Sequence, residues 1–416
     1  MVADRAEATD ADQVLLARTV ALLHANGEST SVTIDAVDRL NRGLGTRFEI
    51  VPSWPAVTVL DNGRNPLVAT APPVGVAMRT VAIVMRAVDG IADHTVDRSR
   101  LGSELDRAAS ARPSSLWLFV LACATGPAAL SIIFGAHDAT AVLLVALGGA
   151  LGGLTRRLLA RVHVGAIGQV FAAAFLAGII GGLAVNADLS SSLRLIAVCP
   201  AMILVPGPHI LNGGLDLLAL RVTLGFARLG YATLLLVAIG SGLALALALF
   251  GTGLPVDPDG RSVPLWLDVA AAGIAAASYP VYFAMPYRLI AFPVVVGAIA
   301  HGLRTWAMTD LGVNIALGAT IACLLVGLVM APLSHRLRVP YAAVAFAAVV
   351  ALVPGVYVFR MISALGELPF GGGQATLLGA VSDGTTAALV IGGMVIGLAL
   401  PKHVYSRIIS RRRATS

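Results

Sequence analysis

Leu204-Val205-Pro206-Gly207-Pro208-His209-Ile210-Leu211-Asn212 lies inside an apolar run, and Leu352-Val353-Pro354-Gly355-Val356-Tyr357-Val358-Phe359-Arg360 repeats its first four residues 148 positions later. A Pro-Gly pair within a hydrophobic helix opens the backbone. Proline removes a hydrogen-bond donor and clashes with the preceding turn, and glycine tolerates the distortion. Two such breaks at one offset suggest a chain built of two copies. Two further echoes support this. Leu116-Trp117-Leu118 returns as Leu265-Trp266-Leu267, and Gly149-Ala150 before Leu154 returns as Gly297-Ala298 before Leu303.

The surrounding composition says what those breaks sit in. Of 416 residues, 57% are hydrophobic and 12% charged, and the mean hydropathy is +0.85. A soluble domain carries about 25% charged residues. A large soluble enzyme, a disordered chain and a nucleic-acid binder are excluded. The net charge of +6 is unevenly placed: residues 1–113 hold 12 Arg and 14 acids, whereas the rest holds 17 Lys+Arg and nine acids. A basic excess confined to the apolar part is the signature of lipid orientation. The fold class expected is an α-helical polytopic membrane protein with a small N-terminal α+β domain.

A bilayer crossing takes about 20 apolar residues. Ten such runs fall near 115–134, 138–155, 163–186, 192–212, 226–250, 264–286, 289–306, 312–334, 340–362 and 374–400. With a cytosolic N-terminus, 13 of the 17 basic residues are cytosolic, among them Arg156, Arg157, Arg161, Arg221, Arg228, Arg288, Arg336, Arg338 and Lys402. Arg194, Arg261 and Arg304 fall outside, and Arg360 lies within a span. Both termini are therefore expected in the cytosol. Met1–Asp12 lacks the apolar core of an export signal. Five spans per copy is an odd number, so the second copy enters the membrane inverted, an architecture suited to alternating access. The expected divisions are an N-terminal cytosolic domain at 1–113, repeats at 114–252 and 253–404, and a basic tail at 405–416.

In residues 1–113, Leu16, Val20 and Leu23, then Val37, Leu40 and Leu44, follow helical spacing, with Gly45 as a stop. Phe48, Ile50, Val57 and Val59 alternate as strands do, and Asp61-Asn62-Gly63 marks a turn before the apolar Leu67-Val68. Helical spacing returns over 76–89 and 96–109. No catalytic motif appears here, and a docking or assembly role is expected. Cys123, Cys199 and Cys323 are odd in number, far apart and apolar in setting, so they are read as small buried hydrophobes.

Freed backbone groups in a membrane must find partners in neighbouring helices, water or a ligand. Paired breaks in corresponding spans are thus the pointer to a substrate site. The candidates are Pro206, Gly207, His209 and Asn212 in the first copy, and Pro354, Gly355, Tyr357 and Arg360 in the second. Arg360 either meets a substrate carboxylate, pairs with an acid or reaches the outer surface. For proton coupling the candidates are Asp216, Asp268, Asp310 and Asp383. Asp383 lies deepest, and a carboxyl away from water can hold a proton near neutral pH. Asp216 alternatively steadies the loop before Arg221, and each of the others alternatively caps a solvated helix end. His301 is open in the same way. The Gly148/Gly152, Gly149/Gly153 and Gly393/Gly397 spacings favour close helix packing. No metal or cofactor constellation is present, and no enzyme is expected. The partners expected are a small-molecule substrate, protons and the lipid bilayer. A homo-oligomer is left open.

These residues resemble a known family. Gly27-Glu28-Ser29-Thr30 with the following helix and strands resembles the opening of the threonine/serine exporter family. Leu204–Asp216 with Gly225-Phe226-Ala227-Arg228-Leu229 resembles the end of its first half, and Arg338-Val339-Pro340 with Leu352–Arg360 its second. The resemblance spans nearly the whole chain in a fused arrangement; some relatives divide the halves between two subunits. It implies proton-driven export of small polar metabolites across the cytoplasmic membrane. Threonine and serine are associated with the family, and succinate with the split form. One departure is Val32, where the family usually carries Arg. The alternatives are a dicarboxylate exporter and, from other classes, an intramembrane enzyme or a channel. Ile239-Gly240-Ser241-Gly242 lacks the first glycine of a GxSG serine site.

Overall fold

The computed structural model describes residues 2–190, 192–252, 263–337, 339, 341–368 and 371–414. Arg261, Arg338 and Pro340 lie outside the described residues, and the expected 252/253 boundary lies at their edge.

The N-terminal part opens with α1 (Val2–Ala25) and α2 (Thr30–Leu44). Gly45 ends α2 at φ 70°, in the left-handed region where a side chain would be strained. Three antiparallel strands follow in the order β1 (Phe48–Pro52), β2 (Ala56–Asp61), β3 (Arg64–Thr70). Asn62 and Gly63 turn β2 into β3 with positive φ at both positions, as a two-residue hairpin requires. Then come α3 (Met78–Ala92) and α4 (Arg98–Ala109). Leu16, Val20, Leu23, Val37, Leu40, Val57 and Val59 are buried together in one core, the residues that helical and strand spacing selects.

The first apolar set is α5 (Leu116–Ile133), α6 (Ala139–Arg161), α7 (Ala166–Asn186), α8 (Leu193–Met202), α9 (Gly207–Leu218) and α10 (Val222–Ala248). The second is α11 (Leu265–Tyr282), α12 (Ala291–Asp310), α13 (Ile315–Leu337), α14 (Tyr341–Val349), α15 (Gly355–Glu367) and α16 (Gln374–Ala414). Among the described residues seven helices are long and apolar enough to cross a membrane, or nine when each bent pair counts as one span. The chain is a polytopic helical membrane protein. Against the ten spans expected, the remaining one is α11, whose 18 residues include Asp268 and three further polar side chains. The expected spans 192–212 and 340–362 are each two helices. The α8/α9 pair bends by 53° and the α14/α15 pair by 71°, both at the Pro-Gly step.

The contacts repeat. α5 packs on α6, α6 on α7, α7 on α10 and α9 on α10, just as α11 packs on α12, α12 on α13, α13 on α16 and α15 on α16. Between the sets, α5 packs on its own counterpart α11, and the contacts of α8 with α15 and of α14 with α9 are reciprocal. Reciprocity of this kind is what a two-fold relation between units produces. Trp117 and Trp266, 149 positions apart, are 82% and 72% exposed. Both open their helices, where interfacial indoles sit in membrane proteins.

The glycine spacings bring backbones together. A Cβ on Gly149 would lie 2.0 Å from the Cys123 carbonyl oxygen of α5, and one on Gly397 would lie 2.8 Å from the Thr320 carbonyl oxygen of α13. Only glycine admits those approaches. All three cysteines are buried. The N-terminal part is tied to the second set through its backbone, since the Met78 N–H donates to the Phe283 carbonyl at 3.0 Å.

Candidate functional site

Each break lies against the other set. Gly207 begins α9 under the ring of Phe346 in α14, and a Cβ at Gly207 would fall 1.6 Å from that ring. Gly355 begins α15 against Met202, the last residue of α8, with 2.8 Å left for a Cβ. The Met202 carbonyl loses its α-helical donor to Pro206 and accepts from the Val205 N–H at 3.3 Å and from the Tyr279 hydroxyl of α11 at 3.2 Å. Freed backbone is thus satisfied from across the two sets, which membrane burial demands. Between the breaks the lining is apolar, with Ile210, Leu211, Val349, Val353 and Met394. A cavity of about 310 Å³ reaches the first break from one side, touching Val205, Pro206, Pro208 and His209.

Residues 15–250 match a threonine/serine exporter family model, and residues 268–404 match a second model, described as threonine/serine exporter, ThrE. The chain belongs to the threonine/serine exporter family. An uncharacterized protein of Haemophilus influenzae (strain ATCC 51907 / DSM 11121 / KW20 / Rd) is 27% identical over 144 residues, 34% of this chain and 48% of the relative. The chain thus spans about half the length of that curated relative. No solved structure matches.

Within this exporter-family chain the other candidate residues are dispersed. His209 is buried and meets Tyr231 edge-on, ring centroids 5.3 Å apart; Tyr231 in turn meets Trp54 at 5.2 Å. The Asn212 amide donates to the Gly27 carbonyl at 3.1 Å, so it faces the N-terminal part. Asp216 forms ion pairs with Arg228 at 3.0 Å and Arg221 at 3.2 Å, and accepts from the Thr30 hydroxyl at 3.0 Å. The Arg221 pair joins α9 to the residue that precedes α10. Arg360 forms an ion pair with Asp383 at 3.0 Å, and its guanidinium lies 5.9 Å from the Tyr357 ring centroid. Asp268 accepts from the Thr305 hydroxyl at 2.7 Å and contacts His301 Nε2 at 3.0 Å. Asp310 is exposed at the end of α12, where it accepts from the Thr309 hydroxyl.

Sequence reading did not foresee that Gly27-Glu28-Ser29-Thr30 enters the apolar part. These residues lead into α2, and Glu28, Ser29 and Thr30 are buried. Lys402 of α16 donates to the Ser29 hydroxyl at 2.9 Å and lies 4.8 Å from the Tyr341 ring centroid. Lys402 is the one lysine in a chain otherwise basic through arginine, a signal visible in the sequence. A cavity of about 490 Å³ runs beside this contact, lined by Glu28, Val32, Asp35, Arg39 and Lys402 among others. Arg228, placed among the loop cations by its sequence position, is fully buried in α10 and contacts His24 Nδ1 at 3.5 Å. Burial, reinforced by that guanidinium, holds His24 down to about 4, so the imidazole meets Arg228 uncharged.

Burial raises the pKa of Glu28 above its usual 4.5, against the pull of Lys402 and the Ser29 hydrogen bonds. The sign follows. A carboxyl whose folded pKa is raised stabilises the fold fully below about 4.5, and that contribution is lost as pH rises through the raised value. Glu28→Gln should therefore flatten the pH dependence of melting temperature above about pH 4.5. A slope identical to that of the unmodified protein would remove Glu28 from the account.

Proposed function

We propose that the chain is a secondary exporter of small polar amino acids of the threonine and serine kind, working by alternating access and driven by protons. The observation that carries this reading is the reciprocal apposition of two broken helices, one per set, in a chain of an exporter family. A pair of discontinuous helices at the interface of two repeats is where transporters hold substrate. Rocking one set against the other about that interface exposes the site to each side in turn. In this reading the sets are inverted repeats, the membrane is the cytoplasmic one, and both termini with residues 1–113 are cytosolic. The distribution of arginines supports that orientation.

Pro206, Gly207, Pro354 and Gly355 supply the hinge and the opened backbone, with His209 and Tyr357 on the segments that leave it. Asn212 and Asp216 couple the first broken helix to the N-terminal part. The Arg360–Asp383 pair is the proton-sensitive element. A proton added to the Asp383 carboxylate removes the charge that holds Arg360, freeing the guanidinium for a carboxylate as the site turns. Asp268 with His301 and Thr305 is a second place where a proton can reside, and Asp310 stays at the solvated helix end. A dicarboxylate such as succinate is the alternative substrate.

Proteoliposomes loaded with labelled threonine, serine or succinate test this. The expected result is saturable efflux of threonine or serine that accelerates with an imposed pH gradient. Asp383→Asn should keep efflux but lose the acceleration. Efflux of none of the three from folded protein would refute the reading; movement of succinate alone would transfer it to the dicarboxylate class.

A further inference from the structure

The cavity beside the first break carries a second set of polar groups. Arg79, Arg112, Arg156 and Arg157 line it, and among the described residues no Asp or Glu does. Three of its side chains hold buried polar atoms without a hydrogen-bond partner: Nε and Nη1 of Arg156, Nε of Arg157 and the hydroxyl of Tyr231. Arg157 is the more tied of the two arginines, since its Nη2 donates to the Ser114 carbonyl and its guanidinium lies over Phe119, 4.1 Å from the ring centroid. Arg156 is held over the Tyr282 ring at 5.0 Å, which fixes the plane of its guanidinium while leaving donors unused.

Shielded guanidinium donors left unfilled are costly unless a ligand completes them. The planar fork of a guanidinium matches a carboxylate, which accepts two parallel N–H bonds, and a phenol adds a third donor. We propose that this cavity binds the carboxylate of the transported molecule on its way to the first break, with Arg156 and the Tyr231 hydroxyl as the donors. The volume of about 310 Å³ suits a molecule of amino-acid or small dicarboxylate size. Leu204 lines the same cavity, and Pro208 lacks the helical N–H that its carbonyl would take. The inference rests on the exporter reading only for what becomes of the bound molecule.

Purified full-length protein in phosphatidylcholine nanodiscs tests it, read by tryptophan fluorescence. Trp54 stacks near Tyr231, and Trp54→Phe identifies its share of the signal. Threonine, threonine amide, succinate and, in separate discs, phosphatidylglycerol are the probes. Threonine or succinate should bind saturably and the amide should not. Arg156→Gln should weaken binding about tenfold or more, and Tyr231→Phe by roughly three- to tenfold. Unchanged affinity in both variants, equal binding of the amide, or a response to phosphatidylglycerol without one to either carboxylate would overturn the assignment. Tyr231→Phe, which removes a single oxygen, keeps the test valid if Arg156→Gln does not fold. Arg156-dependent binding without transport would leave this site standing and remove the exporter reading. Transport with undiminished affinity in Arg156→Gln would do the reverse.

Discussion

Gly207→Ala is expected to cut efflux by roughly 5- to 150-fold, the range of a 1–3 kcal/mol penalty on one conformation. The added methyl would sit 1.6 Å from the Phe346 ring, which is only 4% exposed, so the ring must shift before the methyl fits. The two sets would have to separate at the breaks, and that contact is where the proposed site closes. Phe346→Leu in the same chain withdraws the outer ring atoms and should restore a substantial part of the activity. The measurement is initial efflux rate per folded protein for both single variants and the double variant. Wild-type rates in Gly207→Ala would show that the breaks need not meet during transport.

Asp216→Ala has the largest effect expected on stability. Asp216 is 1% exposed and Arg228 0%, and the substitution leaves that arginine buried without its counter-charge. Removing one member of a buried pair costs about 3–5 kcal/mol. It also removes the acceptor for Thr30, so α2 loses a tie to α9. Melting of the detergent-solubilised protein should fall steeply. Asp216→Ala combined with Arg228→Met should recover much of the loss, because an apolar pair avoids the burial of a lone charge. A single variant that melts like the unmodified protein would mean that the N-terminal part is held on without this network.

The membrane class, the helices and both breaks were legible in the sequence because each rests on local pattern. Apolar run length marks a span, and the Pro-Gly step marks a bend wherever it stands. The turn at Asn62-Gly63 and the stop at Gly45 were legible for the same reason. What the sequence hid is long-range. Thr30 and Asp216 are 186 positions apart and Ser29 and Lys402 are 373 apart. No periodicity connects such pairs. Arg156 and Arg228 were visible only as cations near span ends, where they served to orient the chain; the burial of Arg228 and the shielding of two Arg156 nitrogens depend on which helices pack around them. Asp383 and Arg360 are both visible as intramembrane charges, but their pairing needs α15 to turn at Pro354 and lie along α16.

These pieces form one account: two halves meet at their broken helices, the N-terminal part is fastened to both, and one cavity leads to the meeting point. Cysteine protection at that point tests it most directly. The three natural cysteines are buried, so a single Ala166→Cys supplies the reactive thiol, at a half-buried residue lining the cavity beside the break. Labelling by a maleimide in inside-out vesicles is measured against substrate concentration. The account predicts saturable protection, half-complete at the concentration that half-saturates efflux. Active efflux with labelling that saturating substrate does not change would contradict it.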